Sequence, residues 1–374
     1  MHNLYLAALC AVVPGLGRKQ ILKLTQRLGG ARAVFEADAE ALLATGLAKA
    51  AAVENFIANR SAAWPQKIAY FCRQEGVRLV AVSDEDYPSA LRQTSDPPLV
   101  LYVKGELPRT DYCLAVVGSR DCTAYGERAA AYFAGALARQ GIPIISGGAR
   151  GIDTAAHEAC LAAGGRTVAV MGCGLDMDYP PANSALFHRI VRQQGALVTE
   201  YPPGVAPLPS NFPARNRIIV GMSRGVLVAE AARRSGALIT ANIAADEGRD
   251  VYCVPGNIFD HTSIGCHDLI RTGAKLVDTP QDILEDKNDW ELHVRQHVSQ
   301  PTIFDAAEPE KDAPAVTVTE LGGRLLQILQ GGACTLEELT ERSGADFAAV
   351  SMELLELQAT GLADVDQAQR YYRR

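Results

Sequence analysis

The sequence predicts an α/β protein. Its centre is a Rossmann-like, doubly wound, mostly parallel sheet, with an N-terminal helical domain and a C-terminal winged-helix-like domain. Three observations predict it. From Asp111 onward, short β-branched runs alternate with helical stretches. The runs are continuously apolar, as strands buried on both faces are. Most of them end in glycine or polar residues, which sets a row of ligand-ready loops along one sheet edge.

Residues 1–65 read as short helices of the SAM or helix-hairpin-helix type. Met1–Gly15 is mildly apolar without a basic leader or cleavage site, so it reads as a buried helix and not a signal peptide. Val13-Pro14-Gly15-Leu16-Gly17 precedes Ile21, Leu22 and Leu24 at helical spacing, and Leu42–Leu47 repeats the helix–glycine–helix pattern. Paired glycine turns of this kind can offer backbone N–H groups to phosphate. A small helical packing domain accounts for the same residues equally well.

Residues 66–285 form the core, its central part spanning 111–280. Strands are expected at Leu114–Val117, Ile142–Ile145, Thr167–Met171, Leu197–Thr199, Val226–Ala229 and Val251–Val254. Helices are expected at Tyr125–Arg139, Thr154–Ala163, Ser184–Gln193 and Ala237–Ala245. Residues 286–316 are charged, contain proline and lack periodicity, so they read as a linker. Residues 317–374 then form a compact unit. A helix ends at Leu325–Leu329, helices follow at Thr335–Ser343 and Phe347–Thr360, and Ala363–Tyr372 reads as a two-stranded wing.

The net charge of −7 argues against a nucleic-acid partner only until it is divided along the chain. Residues 1–110 carry +3, residues 111–280 are neutral, and residues 281–374 carry −10. The acidity belongs to the last quarter, which leaves room for a local basic site in the middle. No run is long and apolar enough for a membrane span. The nine cysteines include no C-x-x-C pair, which argues against a disulfide framework or zinc ribbon and points to a cytoplasmic protein.

The expected strand ends carry the chemistry. They supply Gly118-Ser119-Arg120, then Ser146-Gly147-Gly148-Ala149-Arg150-Gly151-Ile152-Asp153, then Gly172-Cys173-Gly174 followed by Tyr179-Pro180 and Asn183. Further on come Glu230-Ala231 and Ser235-Gly236-Ala237-Leu238-Ile239-Thr240. Several such loops on one edge suit a ligand with several phosphates. Neither a P-loop nor a complete dinucleotide fingerprint occurs, so neither ATP nor NAD is expected, and no cofactor or metal is called for. The segment Asn211-Phe212-Pro213-Ala214-Arg215-Asn216-Arg217 combines an aromatic ring, arginine forks and an amide, the composition of a single-strand platform. The same residues also fit a capped helix whose arginines pair with Glu200 and Glu230.

These stretches together resemble the DprA/Smf family of DNA-processing proteins. The resemblance rests on GSR at 118–120, SGGARGID at 146–153, GCGLDMDYPPAN at 172–183, NFPARNRII at 211–219, EAARRSGALITA at 230–241 and GRDVYCVPG at 248–256. It implies a homodimeric protein that binds and protects incoming single-stranded DNA during natural transformation and helps load a RecA-type recombinase, with no cofactor and no membrane. It also implies DNA contacts at Ser119, Arg120, Gly147, Phe212, Arg215, Asn216 and Arg217. Changing Arg215 and Arg217 to alanine is then expected to remove binding while sparing the fold. One departure is visible. Where the family often has Gly-x-Asn before Leu-Ile, this chain has Gly265-Cys266-His267-Asp268, so the contact of that Asn is in question.

The remaining residues have quieter expected roles. Asp153 caps backbone, His157 packs, Cys173 is a small buried thiol, Asp176 and Asp178 form turns, and Glu230 bonds to loop amides or to an arginine. A competing reading is a nucleotide-processing hydrolase of the phosphoribohydrolase type, with Glu230 as the carboxylate beside the ribose. It lacks a compact catalytic glycine loop paired with that acid. In the tail, residues 317–374 hold five basic and nine acidic side chains, which disfavours duplex binding. The tail is expected to bind protein or to compete for the basic site.

Overall fold

A computed structural model describes residues 1–12, 15–286, 290, 319–329, 332–359, 362–365 and 370–373. Most of the expected linker 286–316, the Val13-Pro14 turn and the tip of the wing lie outside the described residues. The chain divides into two compact units, Met1–Gln300 and Pro301–Arg374.

The first unit opens with helices α1 (His2–Cys10), α2 (Arg18–Leu28), α3 (Ala31–Glu36), α4 (Ala39–Ala44), α5 (Ala50–Asn59) and α6 (Trp64–Glu75). In α2, Gln20 accepts the Gly17 N–H at 3.0 Å, Ile21 and Leu24 face inward, and left-handed Gly29 stops the helix. These helices share one continuous core with a face of the sheet. Leu9, Leu24 and Phe56 cluster with Ala169, Phe187 and Leu197.

The sheet runs through β1 (Val77–Ala81), α7 (Ser89–Arg92), β2 (Val100–Gly105), β3 (Leu114–Gly118), α8 (Ala124–Arg139), β4 (Ile144–Ser146), α9 (Ile152–Ala162) and β5 (Thr167–Val170). It continues with α10 (Ser184–Arg192), β6 (Ala196–Thr199), α11 (Asn211–Gly221), β7 (Gly225–Glu230), α12 (Gly236–Asp246), β8 (Asp250–Cys253), α13 (Ile264–Arg271), β9 (Lys275–Leu276) and α14 (Pro280–Leu284). All six expected strands are present, within a sheet of nine in the order β1-β2-β6-β5-β4-β3-β7-β8-β9. The additional strands lie at the two edges. β2 pairs antiparallel with both β1 and β6, and the remaining pairs are parallel.

The path of the chain positions the site. From β3 it winds outward through β4, β5 and β6, then returns to lay β7 on the other side of β3. The strand order therefore reverses between β3 and β7. Beyond the carboxyl ends of those strands the two loops diverge and open a crevice, the usual ligand position in such sheets. Every residue of β7 is buried, as a central parallel strand requires. One face is covered by α8 and α9, whose Ala130, Ala134 and Ala156 allow close packing. The other is covered by α11, α12 and α13. Among the described residues no helix is long and apolar enough to cross a membrane.

The second unit contains α15 (Glu320–Leu329), α16 (Leu336–Ser343), α17 (Phe347–Ala359) and an antiparallel pair, β10 (Ala363–Val365) with β11 (Tyr371–Arg373). Thr335 and Glu338 form a capping box on α16, and left-handed Gly344 ends it. Leu325, Leu339, Val350 and Leu354 form its core. Three helices followed by a two-stranded wing is the winged-helix arrangement expected from the sequence.

Candidate functional site

A cleft of about 570 Å³ opens at the β3/β7 switch point. Its wall on the β3 side is Gly118, Ser119 and Arg120, and on the β7 side Ser235, Gly236 and Thr240. α11 lies across it, contributing Phe212, Arg215 and Asn216, and Tyr179 closes one end. Eleven of the positions singled out from the sequence thus meet here: the ten just named and Asp153.

Phe212 is the centre of the site. Asn211 pins the start of α11 by donating to the Gly172 carbonyl at 3.0 Å, and this turns the Phe212 ring toward the cleft mouth. The Arg120 guanidinium lies 5.2 Å from the ring centroid, and the Tyr179 ring packs 5.6 Å away at a tilt of 34°. Beneath it, Gly172 leaves space that nothing larger could. A Cβ there would sit 2.9 Å from the Phe212 ring. Phe212 is half-buried, while Arg120 and Tyr179 are exposed, so the aromatic group is held firmly yet remains reachable.

Arg215 is placed otherwise than its sequence context predicts. It is only 4% exposed and donates through Nη1 to the carbonyls of Gly147, at 2.7 Å, and Val170. Burial lowers its pKa to about 10, against the favourable field of Asp153. The Asp153 carboxylate accepts the Gly147 and Ala149 N–H groups at 3.1 and 3.2 Å. Burial raises its pKa, and Arg215 and the amides oppose that rise. Gly147 fits between them only because it lacks a Cβ, which would lie 2.6 Å from Arg215. Arg215, Asp153 and Gly147 therefore brace the floor of the cleft.

Arg217 lies on the other side of α11. Residues 212, 215, 216 and 219 of α11 face the cleft, whereas 211, 214 and 217 face away from it. Arg217 donates to Glu200 at 2.6 Å and approaches Asp96 at 3.5 Å, and Arg18 of α2 meets the same two acids. The basic cluster of the sequence is split by helical periodicity, and Arg217 pairs with Glu200 on the side of α11 away from the cleft. Of the two partners weighed for these arginines, Glu200 is the one used.

The other supporting residues shape the loops. Ser146 donates to the Val116 carbonyl at 2.6 Å, and Asn183 bonds the Gly148 carbonyl and the Thr154 hydroxyl, both at 2.9 Å. Gly151 precedes α9, and the Gly174 N–H bonds the Val205 carbonyl at 3.0 Å. Ser235 caps α12. Glu230 is buried and accepts the Thr123 N–H at 3.0 Å as well as the Thr123 hydroxyl. It does not line the cleft, so the acid required by a hydrolase reading is not presented to a ligand there. Cys173 is buried and its thiol is pushed up to about 11, far from a thiolate nucleophile. At the departure from the family pattern, His267 bonds the Gly256 carbonyl through Nε2 at 3.0 Å.

Two further arginines belong to the site and were not singled out from the sequence. Arg234 lines the cleft, and Arg150 lines a smaller adjoining hollow with Arg120 and Phe212. Both are exposed, Arg150 lying 3.6 Å from Asp121, while among the described residues Arg120 and Arg234 form no ion pair. Both occur inside the quoted motifs, but composition does not reveal which of several neighbouring arginines a loop turns inward. The rim of the cleft is positive, and its one lining acid, Asp153, is already bonded to amides.

The profile of the family described as DNA recombination-mediator protein A matches residues 78–288, and the DprA winged helix domain matches residues 309–364. Protein Smf of Escherichia coli K12 is 41% identical over 289 residues, covering 77% of this chain and 75% of that protein. The X-ray structure of DNA processing protein A from Streptococcus pneumoniae superposes with a TM-score of 0.63 at 37% identity, covering 76% of this chain and 98% of that one. DNA processing protein A from Helicobacter pylori, described for its single-stranded DNA binding mode, gives a TM-score of 0.50 at 28% identity, covering 55% and 94%.

Proposed function

The chain belongs to the DNA recombination-mediator protein A (DprA/Smf) family, and from that premise we propose that it binds single-stranded DNA in the switch-point cleft. The observation that carries this is the Arg120–Phe212–Tyr179 stack at the mouth of a cleft where, among the described residues, Arg120 and Arg234 form no ion pair. An unpaired base stacks on the exposed edge of the Phe212–Tyr179 pair. Arg120, Arg234 and Arg150 meet successive phosphates, and Ser119 and Asn216 add hydrogen bonds to backbone or base. Arg215, Asp153 and Gly147 keep the platform rigid without touching the strand. Duplex DNA keeps its bases stacked on each other and has no ring to offer Phe212.

This reading makes the chain a holder of strands and not an enzyme. In the cell it would protect incoming single strands during natural transformation in the cytoplasm, act as a homodimer and pass the strand to a RecA-type recombinase. The acidic winged-helix unit suits a protein partner or competition for the basic site better than it suits a duplex. The test is Arg120→Ala in an anisotropy titration with a labelled oligonucleotide. Loss of one charge-assisted phosphate contact, about 1.5–3 kcal/mol, weakens binding by about tenfold or more with an unchanged melting curve. Wild-type affinity in that variant would remove Arg120 from the site.

A further inference from the structure

The N-terminal helices carry a charge pattern that the fold does not use. In its 11 residues, α2 (RKQILKLTQRL) contains four basic side chains and no acid. Arg18 is committed to Asp96 and Glu200. Lys19, Lys23 and Arg27 follow at four-residue spacing, so they form one exposed stripe along the helix. None of the three has an ion-pair partner among the described residues. Like charges at that spacing oppose helix formation, and a lysine in the first turn opposes the helix dipole. The stripe therefore works against the local structure of a chain whose net charge is −7.

Its position relates it to the cleft. Lys19 lines a hollow together with Gly204, Val205 and Leu208, while Pro207 and Pro209 of that same loop line the switch-point cleft. The loop thus has Lys19, the first cation of the stripe, on one side and the cleft on the other. Trp64, half-buried, borders the hollow beside Lys19, and Lys67 lies 5.9 Å from its ring. Successive cations of the stripe are about 5–6 Å apart at Cβ, comparable with the step between phosphates on an unstacked strand. From Lys19 to Arg27 the helix rises about 12 Å.

We propose that α2 is a second nucleic-acid contact, in which Lys19, Lys23 and Arg27 hold the phosphates of the single strand as it leaves the cleft across the 202–209 loop. This rests on the cleft reading above and extends it: the cleft grips a few nucleotides, and the stripe lengthens the footprint without reading sequence. Charge complementarity calls for an anionic partner, and the loop shared with the cleft selects the strand among them.

The test compares full-length wild-type protein with a Lys19→Gln/Lys23→Gln/Arg27→Gln variant, using fluorescein-labelled oligothymidylates of about 6 and about 20 nucleotides over a salt series. Glutamine keeps helix propensity and removes like-charge repulsion, so far-UV circular dichroism and melting are expected to match wild type. On the long strand, losing three phosphate contacts lowers the log–log salt slope by about 2 and the affinity by at least about tenfold. On the short strand both stay at wild-type values. Tryptophan emission of wild type, to which Trp64 and buried Trp290 both contribute, is quenched in part by the long strand and not by the short one. An unchanged slope and affinity on the long strand would overturn the proposal, as would equal losses on both lengths. Loss of binding to phosphatidylserine vesicles with strand binding intact would overturn it in favour of a lipid surface. A wild-type protein that bound neither length would refute the cleft reading itself.

Discussion

Arg215→Ala separates the two roles available to the arginines of α11. Arg215 lies on the cleft side of its helix, yet its Nη1 is engaged by the Gly147 and Val170 carbonyls and its charge faces buried Asp153. Truncation leaves two carbonyls and a buried acid without the cation they face at the floor of the cleft. Leaving a buried hydrogen-bonding group without its partner typically costs about 1–3 kcal/mol, and two such groups are a large part of the roughly 5–15 kcal/mol that holds a domain together. The assay is urea unfolding followed by far-UV circular dichroism, with Asp153→Asn and the double variant completing a thermodynamic cycle. The single Arg215→Ala change is expected to lower stability by about 3 kcal/mol or more. The double variant should cost at least about 1 kcal/mol less than the sum of the singles, because the two side chains answer each other. A variant whose stability stayed within about 1 kcal/mol of wild type while its DNA affinity collapsed would make Arg215 a ligand contact and refute the bracing role.

Three further outcomes follow from the same geometry. Arg217→Ala should destabilise the protein by about 1–3 kcal/mol in urea, since Glu200 keeps only Arg18, while short-strand affinity at the cleft stays within about twofold. Gly172→Ala should push the Phe212 ring out of place, because the new Cβ would lie 2.9 Å from it; anisotropy should then read about fivefold weaker binding, with the fold retained. His157 gives a pH signature. The Thr167 hydroxyl donates to the Ile144 carbonyl, so the His157 Nδ1–H donates to Thr167, and Nε2 is buried with no partner among the described residues. Burial lowers the ring from 6.5 to about 3. The folded state then binds fewer protons than the unfolded one between those values, so this stability is complete above the upper value and is lost as pH falls toward the lower. Stability of wild type should drop by about 2 kcal/mol more than that of His157→Asn between about pH 7 and pH 5. Parallel pH profiles for the two would contradict that assignment.

Much of this architecture is legible in the residues. The six central strands stand out because parallel strands buried on both faces must be continuously apolar, and Thr335-x-x-Glu338 announces its helix through a capping box. The outer strands β1, β2 and β9 are harder to read. β1 and β2 precede the alternation of strands and helices, and β9 has only two residues. At the site, Arg120 is legible because it follows a strand end, and Phe212 because an aromatic ring, two arginines and an amide fall together in 212–217. What the sequence could not convey is direction. Phe212, Arg215 and Arg217 are close in the chain, but helical geometry sends them to the mouth, the floor and the opposite side of the cleft wall. Glycine loops at strand ends suggest openings for phosphate. Gly147 and Gly172 in fact make room for Arg215 and Phe212, so part of that glycine pattern records internal packing.

The central claim is that the positive, aromatic cleft takes an unpaired strand. It is tested most directly by the affinity of full-length protein for an oligonucleotide of about 6 nucleotides and for the duplex of the same sequence, over a salt series. With three rim arginines each meeting one phosphate, single-strand binding should fall with a log–log salt slope of about −2. It should exceed duplex binding by at least about tenfold and lose that advantage in Phe212→Ala. Duplex binding as tight as single-strand binding, or single-strand binding indifferent to salt, would contradict the account.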